Sequence, residues 1–366
     1  MGEPCSCACN ELYFKDKPQA VSCSDTPAKS HSDPTCAFVL PDTPHQEIIQ
    51  SFPSLPCLTP NADATAACNP APLRPTTAPP ETYPNIPAQY LPHLFLIGSG
   101  QSGKIHLLTT TTVLKLPMEE HLADLENERD IYARLAVFQH PSILAFLGTL
   151  HTGIVLSYHP LGSLRIFIHG TADSGLGVTD AHVKVLARQR RKWAVQVAEG
   201  VQFLHQNGIV HCDTSSSNTL ITSAHDVVLC DFSSSMMDGV AQGGKTRCSR
   251  WYKFISDDDC ESFGEGRTYT VQDDLWAAGT VCYEMWTRRR LWGGFNEKER
   301  VRLYRDGAWP TLEAAGHMGN VIAKCWVDGY GCAGELLSDM AQIAESEETR
   351  VRNIFAKEAA AWQAVD

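Results

Sequence analysis

Asp213 and Asn218 stand five positions apart behind a histidine, in His211-Cys212-Asp213-Thr214-Ser215-Ser216-Ser217-Asn218. A carboxylate so placed can orient an attacking hydroxyl and take its proton. An oxygen ligand a few residues on can hold a metal ion against phosphates. Asp231, at the end of the strand-like Val227-Val228-Leu229-Cys230, is a second oxygen donor suited to a hard cation such as Mg²⁺. Upstream, Gly98-Ser99-Gly100-Gln101-Ser102-Gly103-Lys104-Ile105 spaces glycines so that backbone can approach phosphates without Cβ interference. A dinucleotide site would open a helix after its last glycine, whereas Lys104 to Leu108 reads as strand. Lys115, within Val113-Leu114-Lys115-Leu116, is a cation in an apolar strand and needs an anion. Glu128 is the favoured partner, and Glu126 competes from a different helix face.

These residues need elements to hold them. Residues 1–88 carry 16 of the 21 prolines, mixed with Ser, Thr, Ala and Cys, and read as a largely disordered arm with a short element near Gln46–Phe52. Strand texture follows at Tyr90–Leu96, Ile105–Leu108, Thr112–Leu116, Ile143–Leu150 and Gly153–Tyr158. Met118–Phe138 reads as an amphipathic helix through Leu122, Leu125, Ile131 and Leu135. Trp193–Gln206 is helical, short strands lie at 209–211, 219–222 and 227–230, and helices dominate after Asp274: Asp274–Trp286, Lys298–Arg305, Gly319–Trp326 and Gly334–Glu345. A strand-rich part followed by a helix-rich part predicts an α+β, bilobal fold, with a small antiparallel sheet lobe carrying one helix and a larger, mainly helical lobe.

The motifs in this order resemble eukaryotic protein kinases over residues 92–345. Asn127-Glu128-Arg129-Asp130-Ile131 and His140-Pro141-Ser142-Ile143 are similar to the family's αC helix and the junction after it. Tyr158-His159-Pro160-Leu161-Gly162 resembles the hinge, Asp274-Leu275-Trp276-Ala277-Ala278-Gly279 the start of the αF helix, and Lys324-Cys325-Trp326 the end of αH. The loop at 211–218 resembles divergent kinases of fungal and tyrosine-kinase-like type. The resemblance implies ATP and Mg²⁺ as cofactors, a protein as substrate and Ser/Thr hydroxyls as acceptors. By the same resemblance Asp213 is the base, Asn218 and Asp231 hold Mg²⁺, and Lys115 contacts phosphates with Glu128 fixing it. Gly98, Gly100 and Gly103 cover the phosphates. Ile97, Ile105, Val113, Leu156 and Leu220 wall the adenine, with Leu156 as gatekeeper and Ser157, Tyr158 and His159 as the hinge. The implied organisation is an arm (1–88), a kinase-like domain (89–346, dividing at about 157/158) and a helical tail (347–366).

Several letters depart from the family. Cys212 replaces the Arg that pairs with a phosphorylated activation loop, which implies activity without that phosphorylation. Ser233 replaces the Gly of Asp-Phe-Gly and is expected to restrict that joint. Ser215 stands where Ser/Thr kinases place a Lys. Phe254-Ile255-Ser256 replaces Ala-Pro-Glu, and Gly329–Gly334 lacks the Arg that pairs with the missing Glu. These changes keep open a nucleotide-binding pseudokinase, and the loop spacing keeps open a small-molecule kinase of aminoglycoside or choline type. Cys230 reads as inert packing or as a thiol behind the nucleotide.

The net charge of −12 argues against nucleic acid as the main partner. No apolar run approaches the roughly 20 residues of a membrane span, and the N-terminus lacks the pattern of a secretory signal. A cytoplasmic or nuclear location with free thiols is therefore expected, the Pro-rich arm being a site for partners. Cys5, Cys7 and Cys9 read as unstructured thiols, Asp257–Asp259 as a solvated face, and Arg188–Lys192 as a solvated helix start.

Overall fold

The computed structural model describes residues 50–51, 86–100, 102–170, 178–241, 250 and 268–343. A two-residue strand, β1 (Gln50–Ser51), precedes the sheet of the smaller lobe. That sheet comprises β2 (Leu96–Ser99), β3 (Gly103–Leu107), β4 (Thr112–Pro117), β5 (Phe146–Leu150) and β6 (Gly153–Ser157). All pairs are antiparallel, in the order β2-β3-β4-β6-β5. Alternation along β4 separates two faces: Val113 enters the main core, while Leu114 packs with Leu91 and Val155 on the outer side. The same alternation turns Lys115 inward, between Ile105 on β3 and Ile154 on β6.

One helix, α1 (Leu122–Ala136), crosses the inner face of this sheet. It buries Leu125, Ile131, Tyr132 and Leu135, and Leu122 points to solvent instead of joining that stripe. The larger lobe contains α2 (Leu164–His169), α3 (Asp180–Gln206), α4 (Val271–Thr287), α5 (Glu297–Arg305) and α6 (Met318–Trp326), with a further helix at 333–343. Side chains that accept backbone N–H groups start several of them: Thr179 for α3, Thr270 with Asp273 for α4, and Asn296 with Glu299 for α5. In α3, Trp193, Val197, Val201 and Leu204 fall on one face and are fully buried. Each contributes about 1.5–3 kcal/mol of apolar transfer. Helices α4 and α6 touch at Gly279, where a Cβ would come within 2.4 Å of the Cys325 Cβ.

Between α3 and α4 run β7 (Ile209–Val210), β8 (Thr219–Ile221), β9 (Val227–Leu229), β10 (Met236–Met237) and β11 (Val240–Ala241). β8 and β9 pair as a ribbon, and β10 bridges β7 and β11. After α5 comes β12 (Ala308–Trp309), which pairs antiparallel with β1. The arm thus reaches the helical lobe at Gln50 and Ser51.

The bilobal α+β expectation holds, and several boundaries shift. Tyr90–Leu96 is a strand only at Leu96: Ala88–His93 is a 3₁₀ helix that folds Leu91 onto the outer sheet face, in a segment where Pro87 and Pro92 have no N–H to give a sheet. Ile143 makes only a single parallel bridge to Leu229, and its strand begins at Phe146. Helix α3 starts at Asp180, so the run Arg188–Lys192 lies inside it, where Arg190 covers the Trp286 ring at 4.9 Å. Cys212, Cys230, Cys282 and Cys325 are buried free thiols, but Cys332 is disulfide-bonded. Cys332 sits half-exposed in the turn before the last helix, where a thiol is open to pairing. Among the described residues no helix is long and apolar enough to cross a membrane. Cys5, Cys7, Cys9, the acidic run 257–259, the segment 251–256 and the tail 347–366 lie outside the described residues.

Candidate active site

Lys115 is the centre of the arrangement. Its Nζ donates to Glu128 Oε2 at 2.6 Å and to Asp231 Oδ1 at 2.8 Å, so one ammonium joins β4, α1 and the turn after β9. Glu126 is exposed. Burial alone would lower Lys115, but Asp231 and Glu128 together hold it above its ordinary value. Burial pushes the Glu128 carboxyl up to about 7 against the pull of Lys115. Burial would also raise Asp231, yet Lys115 and the Ser233 hydroxyl hold it below its ordinary value.

The turn at Asp231 is built around a left-handed residue. Asp231 itself takes φ 64° and Ser233 does not take positive φ, so the expected restriction at Ser233 does not arise. Its hydroxyl instead donates to Asp231 Oδ1 at 2.9 Å. Phe232 is fully buried. Its ring meets Tyr132 edge-on at 4.8 Å, Tyr132 stacks on Phe146 at 5.8 Å, and His211 lies 5.1 Å below Phe232. Four rings therefore form a column from the sheet lobe to the helical lobe.

Helix α4 fixes the loop carrying Asp213. Asp274 accepts from His211 N at 2.7 Å, Cys212 N at 3.0 Å and His205 Nε2 at 2.9 Å. Cys212 turns the chain with φ 66°. Within the loop, the Asn218 amide donates to Asp213 Oδ2 at 2.8 Å and to the Asp213 carbonyl at 2.9 Å. Burial, with the nearby Asp231 charge adding to it, pushes Asp213 up to about 7. Ser216 donates to the Glu284 carboxylate on α4. A cavity of about 150 Å³ opens between this loop and α4, lined by Asp213, Ser215, Asp273, Trp276, Thr280 and Glu284.

Val113 and Leu156 are buried opposite one another across β4 and β6, and Ile97, Ile105 and Leu220 pack against the same core. Ser157 and His159 touch through Oγ and Nε2 at 3.1 Å, and Tyr158 N donates to the Thr111 carbonyl at 2.8 Å. Of the glycines, Gly103 is sterically required, since a Cβ would lie 2.5 Å from the Leu116 carbonyl oxygen. Gly100 has nothing within 4 Å of a Cβ, which leaves room for a phosphate, while its N–H closes a turn on the Gly103 carbonyl. The donor set fits Mg²⁺: Asn218 uses its amide nitrogen on Asp213 and Asp231 uses Oδ1 on Lys115, so Asn218 Oδ1 and Asp231 Oδ2 are the oxygens a hard cation would take. Cys230 is buried and its thiol is raised well above the ordinary value by burial, which fits inert packing.

Sequence reading missed three contacts. Asn127 donates into the 232–235 segment, Tyr132 and Phe146 complete the ring column, and Arg250 binds Asp328 and Asp273. A lone Asn or Arg carries no periodic signal. Tyr132 could have been found from its position one turn beyond Glu128.

Residues 96–329 match the family model for protein tyrosine and serine/threonine kinases. The chain is 25% identical over 221 residues to the probable serine/threonine-protein kinase gdt4 of Dictyostelium discoideum, covering 56% of this chain and 12% of that protein. It is 26% identical over 254 residues to the tyrosine-protein kinase Shark of Drosophila melanogaster, covering 63% and 25%. To the serine/threonine-protein kinase Nek1 of Mus musculus it is 27% identical over 230 residues, covering 59% and 18%. The matched region spans a quarter or less of these relatives. With a five-stranded antiparallel sheet lobe, a helical lobe and a match over most of both, the chain belongs to the protein tyrosine and serine/threonine kinase family.

Proposed function

We propose that this chain is an ATP- and Mg²⁺-dependent protein kinase acting on Ser/Thr hydroxyls, with 89–346 as the catalytic domain and 1–88 as an arm for partners. The observation that carries the reading is the double contact of Lys115 with Glu128 and Asp231 while Phe232 is buried, because it joins both lobes in one charged site. Asp213 accepts the proton of the acceptor hydroxyl, and Asn218 orients its carboxylate. Lys115 is placed to neutralise phosphate charge. Asn218 and Asp231 would hold Mg²⁺, which when bound offsets charge on the β- and γ-phosphate oxygens. Ile97, Ile105, Val113, Leu156 and Leu220 exclude water around the base, with Ser157–His159 supplying backbone hydrogen bonds. The cavity beside Asp213 gives the acceptor hydroxyl an approach.

The contacts of Lys115 with Glu128 and Asp231, and of Asn218 with Asp213, favour a catalytic domain over a non-catalytic scaffold. Incubation of the full chain with labelled ATP, Mg²⁺ and separate Ser/Thr and Tyr polymers tests the reading. Asp213→Asn and Lys115→Met should each lower incorporation by about 10²-fold or more. Incorporation unaffected by both substitutions would sink the mechanism. Label on the Tyr polymer alone would reassign the acceptor, and nucleotide binding without incorporation would favour the scaffold.

A further inference from the structure

The carboxamide of Asn127 lies in the buried face of α1, one residue before Glu128. Its nitrogen is within donor distance of three acceptors of one turn: the carbonyls of Phe232 at 3.3 Å, Ser233 at 3.3 Å and Ser235 at 3.0 Å. Its oxygen, also buried, has no hydrogen-bond partner. The side chain is therefore held for its donors alone. An Asn placed in a buried helix face with only half of its polar atoms satisfied is unfavourable for packing, so the contact with the turn must account for its presence.

We propose that Asn127 is a positioning residue for Asp231: it fixes the 232–235 carbonyls so that the Asp231 carboxylate is presented for a divalent cation. This rests on the reading of Asp231 as a metal ligand. Three features of the turn agree. Asp231 sits at φ 64°, a left-handed conformation that Asp tolerates better than most residues and that aims its carboxylate toward Lys115. Ser233 Oγ ties Asp231 Oδ1 at 2.9 Å from the other side. Lys115 takes the same oxygen at 2.8 Å, leaving Oδ2 as the cation-facing atom. If the turn rotated Phe232 out, the three carbonyls would leave and the Asn127 amide would be buried with no acceptor, so the amide opposes that rotation. Asn127 and Glu128 thus couple α1 to the turn in two ways: Glu128 through Lys115, and Asn127 directly through the backbone.

The test separates metal positioning from general loosening. Binding of mant-ATP to the full chain is measured with Mg²⁺ and with EDTA, alongside the thermal midpoint. The wild-type protein should bind more tightly with Mg²⁺. Asn127→Ala and the isosteric Asn127→Asp should keep the EDTA affinity within about twofold and lose about tenfold of the Mg²⁺-dependent gain. Ile131→Val, which thins the same buried helix face and leaves the hydrogen bonds to the turn intact, should keep the gain. Retention of the gain in whichever Asn127 variant folds, or its equal loss in Ile131→Val, overturns the proposal. A wild-type protein that binds mant-ATP with no Mg²⁺ gain removes Asp231 as a metal ligand, and one that does not bind mant-ATP overturns the nucleotide-site reading itself.

Discussion

Arg250 grips Asp328 through two parallel hydrogen bonds, Nε to Oδ1 at 2.9 Å and Nη2 to Oδ2 at 3.0 Å, while its Nη1 reaches Asp273 at 3.0 Å. The family's Glu–Arg pair was expected to be lost on both sides. Positions 254–256 lie outside the described residues, and the pair seen here sets a cation ahead of α4 against an anion in the turn after α6. Asp273 is buried and Asp328 is a third exposed. Arg250→Ala should therefore cost about 2 kcal/mol by removing a charge-assisted hydrogen bond from buried Asp273, whose other oxygen keeps Thr270, and Asp328→Asn about 1 kcal/mol or less. Urea midpoints at unchanged slope measure both. Equal shifts would show that Asp273 carries none of the load.

Acidity at Asp213 gives opposite trends for stability and rate. Its folded value near 7 lies above the ordinary carboxylate value, so between about pH 4 and 7 the folded chain holds a proton that the unfolded chain has released. This group's contribution to stability is complete below that interval and is lost as pH rises through it. The rate should run the other way, rising with pH through a limb at or below 7 as Asp213 ionises. Parallel urea and initial-rate profiles from pH 5 to 8 check the pair of signs. Stability and rate rising together would contradict the assignment.

Two glycines of one loop should respond differently to the same change. Gly103→Ala pushes a methyl group to within 2.5 Å of the Leu116 carbonyl oxygen, and should destabilise by about 1–3 kcal/mol. Gly100→Ala meets nothing within 4 Å, so its thermal midpoint should stay near wild type while nucleotide affinity falls. Differential scanning fluorimetry with and without nucleotide separates them.

Cys212 places no cation beside the catalytic loop. Its backbone N–H is held by Asp274 and its thiol turns to the Val210 carbonyl at 3.3 Å. Phosphatase treatment should leave the phosphotransfer rate within about twofold, and a loss beyond tenfold would show that a phosphate is required.

The sequence carries the backbone of the site well because its chemistry is local or periodic. Glycine spacing, Lys115 in an apolar strand and Asp213 with Asn218 are short-range patterns, and β4, α1 and α4 follow from alternation and helical stripes. What it hides is long-range or conformational. The 3₁₀ turn at Ala88–His93 looks like a strand until Leu91 is seen to fold onto the sheet. The start of α3 at Asp180 depends on a cap formed by Thr179 and His182, ahead of a first half whose apolar stripe is broken by the basic run at 188–192. Ser233 reads as a stiffened glycine position, yet the left-handed residue is Asp231, and no composition rule assigns that φ. Asn127 and Arg250 act on groups 108 and 78 residues away, a relation that only the fold can supply.

Asp274 has a consequence for the order in which the protein is made. It lies 63 residues downstream of His211, whose backbone it holds. At about 5–20 residues per second of synthesis, the segment with Asp213 leaves the ribosome roughly 3–13 s before its clamp. During that interval the nascent chain has its base but lacks the carboxylate that shapes the loop. The loop around Asp213 therefore takes its held shape only once the start of α4 has been made, with α5 and α6 still to follow.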